Sequence, residues 1–454
     1  MTTTTRPRIA PGPKGHWFLG PLADVRRDVL GFLTSSTDQY GDVVRMRFGS
    51  LTLHVVRHPN DVAHVLKDNA KNYDKQTSAY RALSLALGKG LLTSEGEFWL
   101  RQRRIAQPAF HKKRIAGFAS VMVRATEEML AAWQPMIASG EVFDVGAEMM
   151  RVTLQIVAET LLGIRMSAEA DQVGEAMEVM LPYIRETSES ILPLPLSIPT
   201  ARNRRFRHAV ATVDRIVMKA IAARRAAGTE SDDLLSMLMS SEDAETGERM
   251  TDRQLRDEVM TMFLAGHETT ANALIWTWYL LSQNPEAREK LEAEVDTVLG
   301  GRTPTLEDLR ELRYTRRVFD ESMRLYPPAW IVERSAIGAD ALSGFAIPKR
   351  SAVLLSPFLT HRHPEFWPDP LRFDPDRFTE EAIAARPSFA YFPFGGGPRQ
   401  CIGNNFALME SQLIIAAVAQ RVRLSLAPGV KVELNPLVTL RPRGGMNMIA
   451  SARR

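Results

Sequence analysis

Apolar positions recur three and four residues apart over most of the chain between Asp61 and Gly300, the period of helices that bury one face. The pattern predicts helices near 120–133, 147–162, 209–225 and 255–281, with little strand signal between them. Before this region, Val43–Phe48 and Leu51–Val56 are runs rich in β-branched and apolar residues flanking Gly49-Ser50, which predicts a hairpin. Pro193, Pro195 and Pro199 interrupt the helical period, so a mobile loop is expected over 192–199 before an Arg-rich helix from Arg202. Past Tyr326 the character changes. Pro327-Pro328 stops a helix, Ala352–Leu355 reads as a strand, and a Pro/Asp-rich meander runs through Phe378. A last helix is expected over 404–422. Residues 1–21, with Pro11-Gly12-Pro13-Lys14-Gly15, read as an irregular leader lying on the surface. No internal repeat or low-complexity linker divides the rest, so residues 1–454 are expected to form one mainly α domain with a small β region.

Composition narrows the function more than the fold. At 454 residues, 45% hydrophobic and 24% charged, the chain can bury a large core and is not of disordered type. A net charge of +4 with no basic run interleaved with aromatics gives no reason to expect a nucleic-acid partner. The one cysteine cannot form an intramolecular disulfide and suits a reducing compartment. Met1 is followed by four threonines, Arg6, Arg8 and several prolines, so no signal-peptide core is expected. The longest apolar stretch, 260–281, is broken by His267, Glu268 and Asn272 and does not read as a membrane anchor. A cytoplasmic protein is the expectation.

That lone cysteine sits in Phe394-Gly395-Gly396-Gly397-Pro398-Arg399-Gln400-Cys401-Ile402-Gly403, a Gly-rich loop just before the last helix. Free N–H groups and the helix dipole at such an end favour a thiolate, the form an iron ligand needs. Two plainer readings compete, a small buried apolar residue and a phosphate loop. No Gly-Lys-Ser/Thr follows, and the segment does not read as strand then helix, which counts against the phosphate loop. A second feature lies on the long helix opened by the capping box Thr251-Asp252-Arg253-Gln254. Ala265-Gly266-His267-Glu268-Thr269-Thr270 places a glycine and paired threonines mid-helix, where they weaken it. That makes sense if Gly266 admits a ligand and Thr269 gives its hydroxyl to chemistry. Glu321 and Arg324, three apart on a helix, would alone be an ordinary ion pair worth about 0.3 kcal/mol. His361-Arg362-His363 has metal-ligand spacing but no acidic or thiol partners.

Taken in order along the chain, these motifs resemble the cytochrome P450 superfamily. Phe394, Gly397, Arg399, Cys401 and Gly403 match its haem loop, Phe-x-x-Gly-x-Arg-x-Cys-x-Gly. Residues 265–270 match its oxygen-activation pattern at every specified position. The resemblance implies a mainly α P450-type fold and Cys401 as axial ligand of haem b iron, with Phe394 and Gly403 beside the cofactor. It implies an oxygen-binding groove at Ala265 and Gly266, and proton delivery by Glu268 and Thr269. Trp99, four residues before Arg103, matches a Trp-x-x-x-Arg pattern whose donors hold a haem propionate, a task also implied for Arg399 and Arg334. Glu321, Arg324 and Arg377 are implied as a buried structural triad, with Asp376 where the family commonly has glutamate. Stretches 73–90, 180–200, 329–332 and 444–448 correspond to substrate-lining regions.

The implied activity is monooxygenation of a mostly apolar small molecule, such as a fatty acid, terpenoid or steroid-like compound, with dioxygen and external electrons. A thiolate-haem sensor and a peroxide-driven enzyme are the rival classes, and the Glu268-Thr269 pair argues against both. The chain after the cysteine loop is too short for a flavin domain, and one cysteine cannot hold an iron-sulfur cluster. A separate ferredoxin or flavodoxin with its reductase is therefore expected, docking on a basic cluster of Arg101, Arg104, Lys112, Lys113 and Arg114.

Overall fold

A computed structural model describes residues 7–165, 169–190, 192–227 and 233–453. The first six residues of the expected leader, and Ile191 in one expected substrate-lining stretch, lie outside it. The rest of the leader docks as expected. Arg8 donates its N–H to Gly344 O at 3.1 Å, and Arg45 donates to Pro11 O at 2.7 Å.

The hairpin forms as expected. β1 (Val43–Phe48) pairs antiparallel with β2 (Leu51–Val56), Phe48 opposite Leu51, so Gly49-Ser50 makes the tight turn. Gly49 has φ +59°, a conformation glycine adopts at little cost. β2 then pairs in parallel with a distant strand, Ala352–Leu355, which pairs antiparallel with Val332–Ala336. This five-stranded sheet, closed by the short strand Tyr73–Asp74, carries Arg334 inward.

Helices make up the remainder. Those that build the site are α1 (Ser78–Leu87), α2 (Gly96–Ala106), α3 (Ala119–Ala132), α4 (Val145–Val157), α5 (Glu169–Ser188), α6 (Ala201–Ala227), α7 (Asp252–Gln283), α8 (Pro285–Leu299), α9 (Arg313–Leu325) and α10 (Asn404–Arg421). α7 is the axis of the molecule, packed against α4, α6, α9 and α10 and buried over most of its circumference. The expected capping box starts it: Gln254 N–H donates to Thr251 Oγ1 at 3.4 Å, and Thr251 N–H donates to Gln254 Oε1 at 2.8 Å. Asp144 caps α4 by accepting from Gly146 N–H at 2.8 Å. The helix expected over 147–162 does not continue as one α-helix, because its last turn, Ala158–Leu162, widens to a π-turn and stops at Gly163, φ +65°.

The Pro-rich segment between α5 and α6 is a loop, as expected, but it is tied down. Asn203 Nδ2 donates to Pro195 O at 3.0 Å and to Ile198 O at 2.8 Å, while Tyr183 O–H donates to Asn203 Oδ1 at 2.9 Å. Among the described residues no helix is long and apolar enough to cross a membrane.

Candidate active site

The cysteine loop is shaped by two glycines with positive φ, Gly395 at +68° and Gly397 at +64°. A side chain on Gly397 would collide with the backbone carbonyl of Leu66, so only glycine lets the loop lie this close. Cys401 N–H donates to Phe394 O at 3.0 Å, which folds the loop back so that the thiol precedes α10 by three residues. Cys401 keeps an exposed surface although protein packs around it. Burial pushes the thiol's pKa up, opposed by the Gly403 N–H and the positive charge of Arg103. The N–H at the helix end favours the thiolate in the expected direction, but burial of the thiol outweighs it.

Around this thiol the chain gathers more cations than anions. Arg399 donates to Ser94 O at 2.9 Å, pairs with Glu95, and lies over the ring of Trp99, 3.7 Å from its centroid. Arg103, one turn after Trp99 on α2, donates to Gln400 O at 3.1 Å. Arg334 is 6% exposed, and its guanidinium meets only neutral oxygens, Tyr80 O–H at 3.5 Å and Glu333 O at 2.8 Å. Lys75 is equally buried, with its ammonium on Leu92 O at 2.9 Å. Burial, and the charges of Arg334 and Arg399, hold its ionisation well below the ordinary lysine range. Among the described residues, Arg103, Arg334 and Lys75 have no carboxylate within ion-pair distance, and Glu95 on Arg399 is the one acid bonded in this group. Buried cations left this way are costly unless a bound anion completes them. A cofactor with two carboxylates beside the thiol fits that need. The expected Trp99, Arg103, Arg334 and Arg399 are thus brought together, and sequence reasoning missed Lys75 and Tyr80.

On α7, Ala265 is exposed and Met262, Gly266 and Thr269 are half-buried amid buried neighbours. The helix runs unbroken through these residues although their composition weakens it. Thr269 O–H donates to Ala265 O at 2.6 Å and Thr270 O–H to Gly266 O at 3.1 Å, so the hydroxyls bond back along the helix. Gly266 also departs from expectation. A Cβ there would lie 3.2 Å from Val157 Cγ2, so the missing side chain serves close packing of α4 on α7, and Ala265 forms the open position. Glu268 points to a different side, its carboxylate accepting from Thr439 O–H at 2.6 Å. Its burial pushes its pKa up to about 7. No hydrogen bond joins these groups to Cys401 among the described residues.

Glu321 and Arg324 are fully buried on α9. Arg324 holds Glu321 through two hydrogen bonds of 2.7 Å, and its remaining N–H groups reach His361 O, Pro370 O and Arg372 O. Arg377 stands beside them with Nε 3.6 Å from Glu321 Oε1, an ion-pair distance without a hydrogen bond. Asp376 turns away toward Lys290 Nζ at 3.1 Å, so the unusual residue lies outside the triad. His361 accepts from Phe392 N–H at 2.9 Å, while His363 pairs with Asp42 at 3.1 Å, so the two imidazoles serve different partners.

Two further expectations are corrected. Arg101 pairs with Glu248, and Arg104 pairs with Asp243 and Glu245, so an acidic segment neutralises part of the basic cluster. Only Lys112, Lys113 and Arg114 of it remain exposed and unpaired among the described residues. In the stretch 444–448, Met446 and Met448 belong to the core, and Gly444 and Gly445 border a cleft beside α7 that also exposes Glu268.

The family model for cytochrome P450 matches residues 10–446. The chain belongs to the cytochrome P450 family. Cyclooctatin synthase of Streptomyces melanosporofaciens is 40% identical to it over 99% of this chain and 96% of its own length. Cyclooctat-9-en-7-ol 5-monooxygenase of the same organism is 36% identical, over 94% and 91% respectively. Pentalenene oxygenase of Streptomyces avermitilis (strain MA-4680) is 35% identical, over 93% and 92%. This P450 is accordingly a haem-dependent oxidoreductase, a monooxygenase that uses dioxygen and externally supplied electrons to oxygenate a mostly apolar small molecule.

Proposed function

We propose that this P450 binds haem b through Cys401 and hydroxylates a terpenoid, its electrons arriving from a separate ferredoxin or flavodoxin with its reductase. The observation that carries the cofactor assignment is the set of cations beside Cys401, of which Arg334 and Lys75 are buried and, with the half-buried Arg103, lack a carboxylate partner among the described residues. Arg103, Arg334, Lys75 and Arg399 would hold the two propionates, with the Trp99 indole N–H as a further donor and Phe394 and Gly403 beside the ring. When bound, the haem supplies activation of dioxygen, which a thiolate ligand favours.

The remaining work falls to side chains. Ala265, small and accessible, leaves room at the groove. Thr269 Oγ is the hydroxyl placed there, and its proton can turn from Ala265 O toward a ligand without breaking the helix ladder. Glu268, held near neutrality by burial, can carry a proton at the pH where the enzyme works. Glu321, Arg324 and Arg377 fasten the meander to α9 and so set the cysteine loop. The terpenoid reading rests on the relatives, two of which are named for monooxygenation of cyclooctat-9-en-7-ol and oxygenation of pentalenene. The whole chain would then act as one cytoplasmic monooxygenase domain.

The test is a titration of purified ferric protein with polycyclic terpene hydrocarbons and terpene alcohols, following the haem spin-state change, then product analysis with a surrogate reductase. Saturable spectral shifts with hydroxylated product are expected. Binding of fatty acids in preference to every terpenoid would overturn the substrate class.

A further inference from the structure

Beside α7 lies a cleft of about 730 Å³ between α4, α5 and the strands Leu434–Pro436 and Leu440–Pro442. Its walls are apolar where Leu154, Met177, Leu181 and Ile275 face it, but its floor is polar and formed by Glu268 and Asn272 of α7. Glu268 and Thr269 are consecutive, so they leave the helix about 100° apart: the acid opens on this cleft and the alcohol on the groove.

Thr439, just before the strand Leu440–Pro442, fixes the acid's direction. Asn272 Nδ2 donates to Thr439 Oγ1 at 3.2 Å, and the Thr439 proton goes to Glu268 Oε1 at 2.6 Å. Asn272 Nδ2 also bonds Glu268 O at 3.0 Å, which anchors the amide to the helix. Asn272 Oδ1 is fully buried and has no protein partner, an acceptor of the kind that internal water satisfies. At the mouth, Arg441 holds Glu178 of α5 through two bonds of 2.9 and 3.2 Å. The other charged groups facing the cleft are Arg151 of α4, Asp144 at its cap, and Asp171 and Glu175 of α5, while His267 is bonded to Phe263 O at 2.9 Å.

Resting on the reading of Glu268 as proton donor, we infer that Thr439 is a positioning residue that holds the Glu268 carboxyl on the cleft side, where water reloads it between turnovers. The acid then reaches the groove by turning about its own side-chain bonds, with the helix unchanged. Burial raises the Glu268 pKa, whereas the Thr439 hydrogen bond and the Arg441 charge lower it, so Thr439 also sets the pH range over which the acid is loaded.

The experiment is an infrared difference titration of ferric protein, following the protonated-carboxyl band that Glu268→Gln deletes. In the parent the midpoint should fall at about 7. Thr439→Val removes a bond to the ionised form and should raise that midpoint by roughly one unit. Thr439→Ser should restore it. The alkaline limb of product formed per reductant consumed should move upward with the midpoint in Thr439→Val and return in Thr439→Ser. An unmoved midpoint in Thr439→Val overturns the inference, and so does a moved midpoint with an unmoved alkaline limb. Failure of the underlying reading looks different: Glu268→Gln would couple as well as the parent at every pH, whatever the Thr439 variants do.

Discussion

Replacing Glu321 with alanine removes the acceptor around which the meander is fastened. Arg324 would lose the acceptors of Nε and one Nη2 hydrogen while its charge stays fully buried. Asp374 N–H, which donates to Glu321 Oε1 at 2.9 Å, would be stranded as well. Removing one partner of a buried ion pair costs about 3–5 kcal/mol, and an orphaned amide about 1 kcal/mol. The three carbonyls on Arg324 survive the change, so the total should be about 4 kcal/mol, roughly a quarter or more of ordinary domain stability. Urea unfolding followed by haem absorbance and tryptophan fluorescence should show that loss in Glu321→Ala, with a lower yield of haem-loaded protein. Glu321→Gln, which keeps the shape and one acceptor oxygen, should lose about half as much. A loss below about 1 kcal/mol in Glu321→Ala would refute the assignment of the triad as the fastening of this region.

Thr269→Ala should keep haem and substrate spectra but divert reductant to hydrogen peroxide, and product formed per reductant equal to the parent's would contradict its role. Coupling should fall as pH rises through about 7, because Glu268 is protonated below its raised pKa and ionised above it. That decline should be absent in Glu268→Gln, whose coupling is low throughout. Gly397→Ala puts a Cβ into the Leu66 carbonyl at a φ of +64° and should destabilise the protein by at least about 1–2 kcal/mol, measured by thermal unfolding. Lys112→Glu with Lys113→Glu should slow electron transfer and weaken its salt dependence, whereas Arg101→Gln, already neutralised by Glu248, should leave the rate near the parent's. Equal effects of the two changes in stopped-flow reduction would place the partner elsewhere.

Features written in contiguous residues were legible in the sequence. The β1–β2 hairpin follows from two apolar runs and a two-residue turn, and the start of α7 from a capping box within four residues. The cysteine loop is likewise continuous, so its residues could be named before its shape was known. What escaped depends on chain segments far apart. Arg104 looks like a free surface cation until Asp243, 139 residues on, closes on it. Gly266 looks like a ligand groove until Val157 is packed against it. Lys75 and Thr439 carry no local signal, because a lysine acquires its unusual environment only when Arg334 and Arg399 arrive beside it, and a threonine becomes an acid's partner only across 171 residues. Desolvation of Cys401 is likewise a property of the assembled interior, and it opposes the pull of the helix end in a way that the contiguous residues do not show.

Ligation of haem by Cys401 is tested most directly by the absorption spectrum of the reduced, carbon monoxide-bound protein. The parent should show the strongly red-shifted Soret band of a thiolate ligand, and Cys401→Ala should lose that band while circular dichroism confirms that the chain still folds. A parent spectrum with the Soret position of a neutral axial ligand, or a red-shifted band that survives Cys401→Ala, would contradict it.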